Sequence, residues 1–386
     1  MFKKNLKLKN IFLLGFLFSL HLAFISYINS SFLSVFSGEK NVSLIYILGS
    51  VTSLLVLSLI PEILRKRGVY RFLLFSTGLS LLSLFLLSVL KSPFLIISIF
   101  IFYFTVNYLI IFALDELLQI FSQNFSLGRV RGLYLSLINL AWVIAQILSG
   151  KILSKFSFSA VYFIAFIIMT IFFLVTLLSL KGLNDPQYDK AFAWESFKDF
   201  FKNINLTRAY KINFILQFFY VWMVIYTPIY LYSHLSFSWQ EISLIFTIML
   251  LPFVFIQFPL GRYSDKIGER KMLLFGFAIA SLATLSLFFI ERHEVWIWAL
   301  ALFCTRIGAA IIEVMSDVYF FKHIKRENDE FIAVYRNTGP VSYVLAPLVA
   351  FFVLYFVPAF NFIFLILGAL LLYGVYLSST IEKSDI

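Results

Sequence analysis

Charged residues are scarce in this chain, 13% of 386 against the ~25% of a soluble domain, and that shortage excludes a watery surface over most of the molecule. Cysteine is scarcer still. The single one, Cys304, sits inside an apolar run, so it can form no internal disulfide and has no neighbouring ligands for a metal site. The four histidines, His21, His234, His293 and His323, show none of the short spacings that zinc needs. No glycine run resembles a phosphate-cradling loop. No cofactor or metal is expected, and no nucleophile and base fall into a pattern that would make the chain an enzyme. Nucleic acid is not expected as a partner either, because loops facing an anionic leaflet account for the formal charge of +11. Long hydrophilic segments are also missing. The longest, 181–209, is too short to hold a core of its own.

Apolar sequence is what the chain has in abundance, 61% of it. It falls into about twelve stretches of ~20 residues or more, each able to cross a ~30 Å hydrocarbon core. They lie near 11–35, 42–61, 71–90, 94–118, 132–153, 157–180, 210–235, 241–260, 272–290, 295–321, 332–357 and 359–380. The N-terminal lysines before the first stretch resemble a secretory leader. That stretch outruns a ~7–15-residue leader core and is followed by further spans, so a retained first helix is expected. Cations sort by connection. The N-terminal tail, the even-to-odd connections (Arg65 to Arg71, Arg129 and Arg131, Arg262 to Lys271, Lys322 to Arg336), the central segment and Lys383 hold nearly all of them. The opposite side has only Lys40, Lys91, Lys151, Lys155 and Arg292. This asymmetry puts both termini in the cytoplasm. The expectation is an all-α, multi-pass protein of the cytoplasmic membrane whose solvent is the lipid bilayer.

The spans divide six and six, giving bundles at 1–180 and 210–386 joined by 181–209. Gly68, Arg71 and Leu73 in the second-to-third connection are echoed by Gly268, Lys271 and Leu273 in the eighth-to-ninth. Asp115 ending the fourth span and Arg131 opening the fifth are echoed by Asp317 and Arg336. Such weak internal repetition is a mark of transporter folds. In the central segment Phe197, Phe200, Phe201 and Ile204 recur at helical spacing beside Lys198, Asp199 and Lys202. That pattern suits a helix lying on the headgroups, or a plain solvated linker.

The most specific stretch runs from Gly261 to Leu273. It resembles the cytoplasmic signature of the major facilitator superfamily, G-x-x-x-D-R/K-x-G-R/K-R/K-x-x-L. Gly261, Asp265, Lys266, Gly268, Arg270 and Leu273 match, while Glu269 stands where a cation is usual. Gly261 permits close helix approach, and Gly268 permits a turn that other residues resist. The superfamily carries this motif chiefly in the second-to-third connection, where this chain has only a decayed copy around Pro61 to Arg71. A second motif, the fifth-span G-x-x-x-G-P-x-x-G-G of proton-driven exporters, survives only as Gly150, with Gln146 near the proline position. The resemblance covers the whole chain. It implies the twelve-helix fold of two six-helix pseudo-symmetric bundles, alternating access, and a cavity lined by the first, fourth, seventh and tenth spans.

Arg306 lies ~16 Å into the tenth span, near the membrane midplane. Glu313 and Asp317 follow at i+7 and i+11, on the same helical face. An arginine at the centre of a span costs at least ~2.5 kcal/mol to insert. Either it binds an anionic or polar substrate group, or it pairs with Glu313 or a partner elsewhere and orients the bundle. Glu313 is the candidate for proton coupling, with a structural salt bridge as the alternative. Asp115, Arg131, Asp317, Arg336 and Asp265, with Gly261, Gly268 and Arg270 of the signature, are expected in gating clusters. His21, Tyr103, Asn107, Trp222 and Tyr226 are candidate substrate contacts, although 49 phenylalanines and 20 tyrosines make packing the simpler account of any aromatic face. The resemblance thus implies a monomeric secondary transporter for a small organic solute, driven by protons or facilitating diffusion. The alternatives are a multidrug efflux antiporter and a non-transporting sensor or assembly factor on the same scaffold.

Overall fold

The computed structural model describes residues 2–57, 60–122, 127–181, 194–256, 260, 268–324, 330–357 and 359–381. Every regular element among them is a helix. Two compact units divide the chain, Met1–Ala191 and Phe192–Ile386. The first holds α1 (Phe2–Ser26), α2 (Asn29–Ser37), α3 (Glu39–Leu57), α4 (Ile60–Val89), α5 (Pro93–Ser122), α6 (Leu127–Leu153) and α7 (Phe158–Ser179). The second holds α8 (Trp194–Lys202), α9 (Ile204–Ile229) with a π-turn at Tyr230–His234, α10 (Trp239–Phe255) and α11 (Glu269–Leu287). Then follow α12 (Val295–His323), α13 (Glu330–Arg336), α14 (Thr338–Phe356) and α15 (Phe362–Ser379).

Ten helices among the described residues are long and apolar enough to cross a membrane. The helices at the second and eighth expected spans, α3 and α10, have 19 and 17 residues. The chain is a multi-pass membrane protein. Helices are what a lipid solvent demands, since each satisfies its backbone polar groups internally. Large side chains such as Leu178, Phe94, Phe289 and Phe356, 72–80% exposed, point outward into that solvent.

Three local departures from the expected spans have physical causes. The first span is not continuous: α1 ends at Ser26 and α2 begins at Asn29. The Ser26 hydroxyl donates to the Leu22 carbonyl at 2.6 Å, a back-bond that bends helices. The Gln146 amide donates to the Ala23 carbonyl at 3.1 Å, one turn before the break. Second, α4 runs through Gly68, whose φ of 73° and ψ of 159° are non-helical. Gly268 has nearly the same backbone, φ 82° and ψ 146°. These are conformations that only glycine adopts without strain, so the sequence repeat between the two connections has a conformational counterpart. Third, the apolar stripe of α8 turns onto protein. Phe200 is fully buried, 5.5 Å from the Phe331 ring and 6.3 Å from that of Phe320, while Ile204 stays exposed. Pro228, Pro252 and Pro347 lie inside helices; Pro340 is in the first turn of α14, where its missing N–H matters little, and Pro259 is outside the described residues.

In the first unit α1 packs on α6 and α7, and α4 on α5 and α7. In the second, α12 packs against α9, α10 and α11. The α11–α12 contact brings two backbones together. A Cβ added to Gly308 would meet the Gly276 carbonyl oxygen at 2.5 Å and the Ala280 nitrogen at 2.6 Å, so the two backbones touch through small residues.

Candidate functional site

In the second unit the site grows from α12. Arg306 is 1% exposed, although it carries a guanidinium and sits midway along a 29-residue helix. Its guanidinium carbon lies 4.9 Å from the centroid of Phe219 and 5.6 Å from that of Tyr220, both on α9. Cation–π attraction of this kind offsets ~0.5–2 kcal/mol of the desolvation penalty. Nε and Nη1 have no hydrogen-bond partner. Glu313 is not the direct counterion. The Tyr220 hydroxyl donates to its Oε2 at 3.3 Å, so one tyrosine ring faces the cation and its phenolic edge holds the carboxylate. Arg306, Tyr220 and Glu313 form a chain with tyrosine in the middle.

The third member of the sequence stripe goes elsewhere. Asp317 accepts from Arg336 Nη2 at 3.2 Å and from the Tyr335 hydroxyl at 3.0 Å. Tyr335 in turn stacks on Phe320 at 4.0 Å. Close by on α12, the Lys322 ammonium pairs with Glu269, which is 3% exposed. The departure from the signature at Glu269 therefore has a partner on the neighbouring helix. Arg270 is half-buried beside it. Gly261 and Asp265 lie outside the described residues. Asp115 is exposed on α5, about two turns before its end at Ser122, and the side chain of Arg131 lies outside the described set.

The first unit brings His21, Tyr103 and Asn107 together. His21 Nδ1 is 2.8 Å from the Phe18 carbonyl and its Nε2 is 2.7 Å from the Tyr103 hydroxyl. A carbonyl can only accept, so in the neutral ring Nδ1 carries the proton and Nε2 accepts from Tyr103. Asn107 engages the same hydroxyl from one turn further along α5, and its Oδ1 is buried without a partner. Beside them the Tyr162 hydroxyl donates to Asn29 Oδ1 at 2.7 Å. Trp222 and Tyr226, fully buried on α9, form an aromatic row with Phe218 at centroid distances of 5.3 and 5.6 Å. The Trp222 Nε1 is also unpartnered.

Four participants are not apparent from sequence: Phe219, Tyr220, Gln146 and Lys322. Tyr220 carries a weak signal, an aromatic hydroxyl in the middle of a span, which is hidden among many similar residues.

With this geometry in place, comparison with known proteins gives a consistent class. The sequence profile of the Major Facilitator Superfamily matches residues 212–383, which includes the signature segment and every residue of the Arg306 site. Two solved structures of the nucleoside transporter NupG share the fold. One, a mutant form, superposes with a TM-score of 0.79 at 13% identity over 98% of this chain and 100% of that one. The other gives 0.76 at 13% identity over 97% and 98%. No curated protein matches the sequence. The fold is the major facilitator fold, seen here in a multi-pass membrane protein.

Proposed function

We propose that the whole chain is a major facilitator protein of twelve spans, in two pseudo-symmetric six-helix bundles at 1–180 and 210–386. It moves a small organic solute across the cytoplasmic membrane by alternating access and works as a monomer. The observation that carries this reading is Arg306. A membrane protein that needed only a stable bundle would gain nothing from an arginine buried in a span with unpartnered nitrogens, whereas a solute site needs such a group. The shared fold with a nucleoside transporter supports the class of activity, and at 13% identity it leaves the solute open. His21, Tyr103 and Asn107 in one unit and Trp222 and Tyr226 in the other are assigned to solute contact. Gly261, Asp265, Gly268, Arg270, Asp115, Arg131, Asp317 and Arg336 are assigned to gating.

The test is a thermal-shift screen of purified protein against neutral, cationic and anionic metabolites, followed by counterflow of each hit in proteoliposomes. Hits that bind and exchange support transport. Hits that bind and never exchange would turn the protein into a sensor on this scaffold.

Glu313 is assigned to proton coupling. Glu313→Gln is expected to retain counterflow, which needs no net proton movement, and to lose accumulation driven by an imposed pH gradient. Undiminished accumulation in that variant would remove Glu313 from the coupling role.

Both termini are placed in the cytoplasm by the cation asymmetry. On a Cys304→Ser background, cysteines at positions 91 and 292 should react with an impermeant reagent from outside, and those at 67 and 325 should not. The reverse pattern would invert the topology.

A further inference from the structure

We propose that Arg306 is the anchor for a monocarboxylate with an apolar or aromatic body. This deepens the transport reading and rests on it for the direction of use, though not for the existence of the site.

The argument starts from what the guanidinium lacks. Its N–H groups at Nε and Nη1 meet no acceptor, and among the described residues it has no carboxylate partner, because the Tyr220 ring stands toward Glu313. An unpaired buried charge is among the costlier features a fold can hold. The missing group must be negatively charged and able to accept from guanidinium N–H donors, which a carboxylate does through charge-assisted hydrogen bonds. Its charge is set by supply. The other cations on the helices packed around the site are Arg208 and Lys211 on α9, Arg270 and Lys271 on α11, and Lys322 on α12. All lie toward helix ends, and Lys322 already pairs with Glu269. One guanidinium balances one negative charge, and a phosphate dianion would bring a surplus into a low-dielectric site. The body of the ligand is set by the walls. Phe219 and Tyr220 flank the guanidinium carbon at 4.9 and 5.6 Å, and an apolar or aromatic body beside the carboxylate suits a site built on aromatic rings. Glu313 acts here as a positioning residue: by accepting from the Tyr220 hydroxyl it fixes the ring that backs the cation.

The experiment uses purified full-length protein and a matched panel. Lactate, octanoate, benzoate and phenylacetate are each tested beside their neutral amides, with inorganic phosphate as a further probe, by differential scanning fluorimetry. At least one apolar carboxylate should raise the melting temperature, while its amide does not and phosphate does not. In Arg306→Gln the carboxylate effect should weaken by ~10- to 150-fold in affinity, the loss expected for a charge-assisted hydrogen bond. Arg306→Lys, which keeps the charge and loses the planar fork, should fall between the two. Tyr220→Phe should weaken binding, because the ring that backs the cation then loses its tie to Glu313. No shift with any carboxylate, an equal shift with the amides, or a larger one with phosphate would each overturn the assignment. The wild-type comparison of acid with amide stands even if a variant fails to fold. Carboxylate binding without counterflow keeps the site and rejects transport. Counterflow of neutral solutes with no carboxylate effect keeps transport and rejects the site.

Discussion

Gly308→Ala should leave little or no folded protein. The added methyl would sit 2.5 Å from the Gly276 carbonyl oxygen, 2.6 Å from the Ala280 nitrogen and 2.7 Å from the Ala280 Cβ. These are backbone or near-backbone atoms, so no flexible side chain can yield, and α11 must move away from α12. Overpacking of this kind costs ~1–3 kcal/mol where a side chain can give way, and more is expected where the backbone itself blocks. Apolar lipid offers helices no solvophobic drive to stay together, so the lost van der Waals contact is not replaced. Gly78→Ala is the control. Nothing lies within 4 Å of the place its new methyl would take, and alanine improves helix propensity by ~1 kcal/mol. The measurement is the melting temperature in one detergent, together with the monodisperse yield. A Gly308→Ala protein that melts like the parent would show that the two helix backbones do not touch at this glycine. Because α12 carries Arg306, the same variant, if recovered, should also lose solute binding.

Arg306→Gln is expected to do the opposite to the apo protein, leaving its melting temperature equal to or above that of the parent. The wild-type side chain holds a charge in a span, at a cost of at least ~2.5 kcal/mol. Contacts with Phe219 and Tyr220 offset only part of this, ~0.5–2 kcal/mol. A neutral side chain of similar length removes both the desolvation cost and the smaller cation–π gain. Function should fall instead, with solute affinity lower by ~1.5–3 kcal/mol. If Arg306 served only to neutralise Glu313, the single variant would leave a half-buried carboxylate uncompensated and the melting temperature would drop. The double variant Arg306→Ala with Glu313→Gln would then recover both stability and transport. Recovery of transport in the double variant would rule out solute contact.

The two variants probe different levels of what the chain encodes. The membrane class, the approximate spans and the sorting of the cations by connection were readable in the sequence, because hydropathy and loop charge act locally and along one dimension. The signature from Gly261 to Leu273 was readable too, since its glycine at 268 meets a backbone requirement that the structure displays as a φ of 82°. The i+7 and i+11 stripe on α12 followed from helical period alone.

Partner choice did not follow, because it depends on which faces the fold brings together. Arg306 finds Phe219 and Tyr220, not Glu313, and α9 presents so many aromatic residues that no spacing rule would single those two out. Asp317 leaves the stripe for Arg336 because α13 ends beside it. Glu269, an oddity in the signature, is explained only by Lys322 on the adjoining helix. The break of the first span at Tyr27–Ile28 carries no glycine or proline to announce it. It coincides with two contacts from distant segments, Gln146 on the Ala23 carbonyl and Tyr162 on Asn29. Sequence by itself determined which segments enter the bilayer, since burial in lipid is judged residue by residue. Tertiary structure decided which polar groups are satisfied there, since a hydrogen bond needs two groups within about 3 Å of each other, and that proximity exists only once the helices have packed.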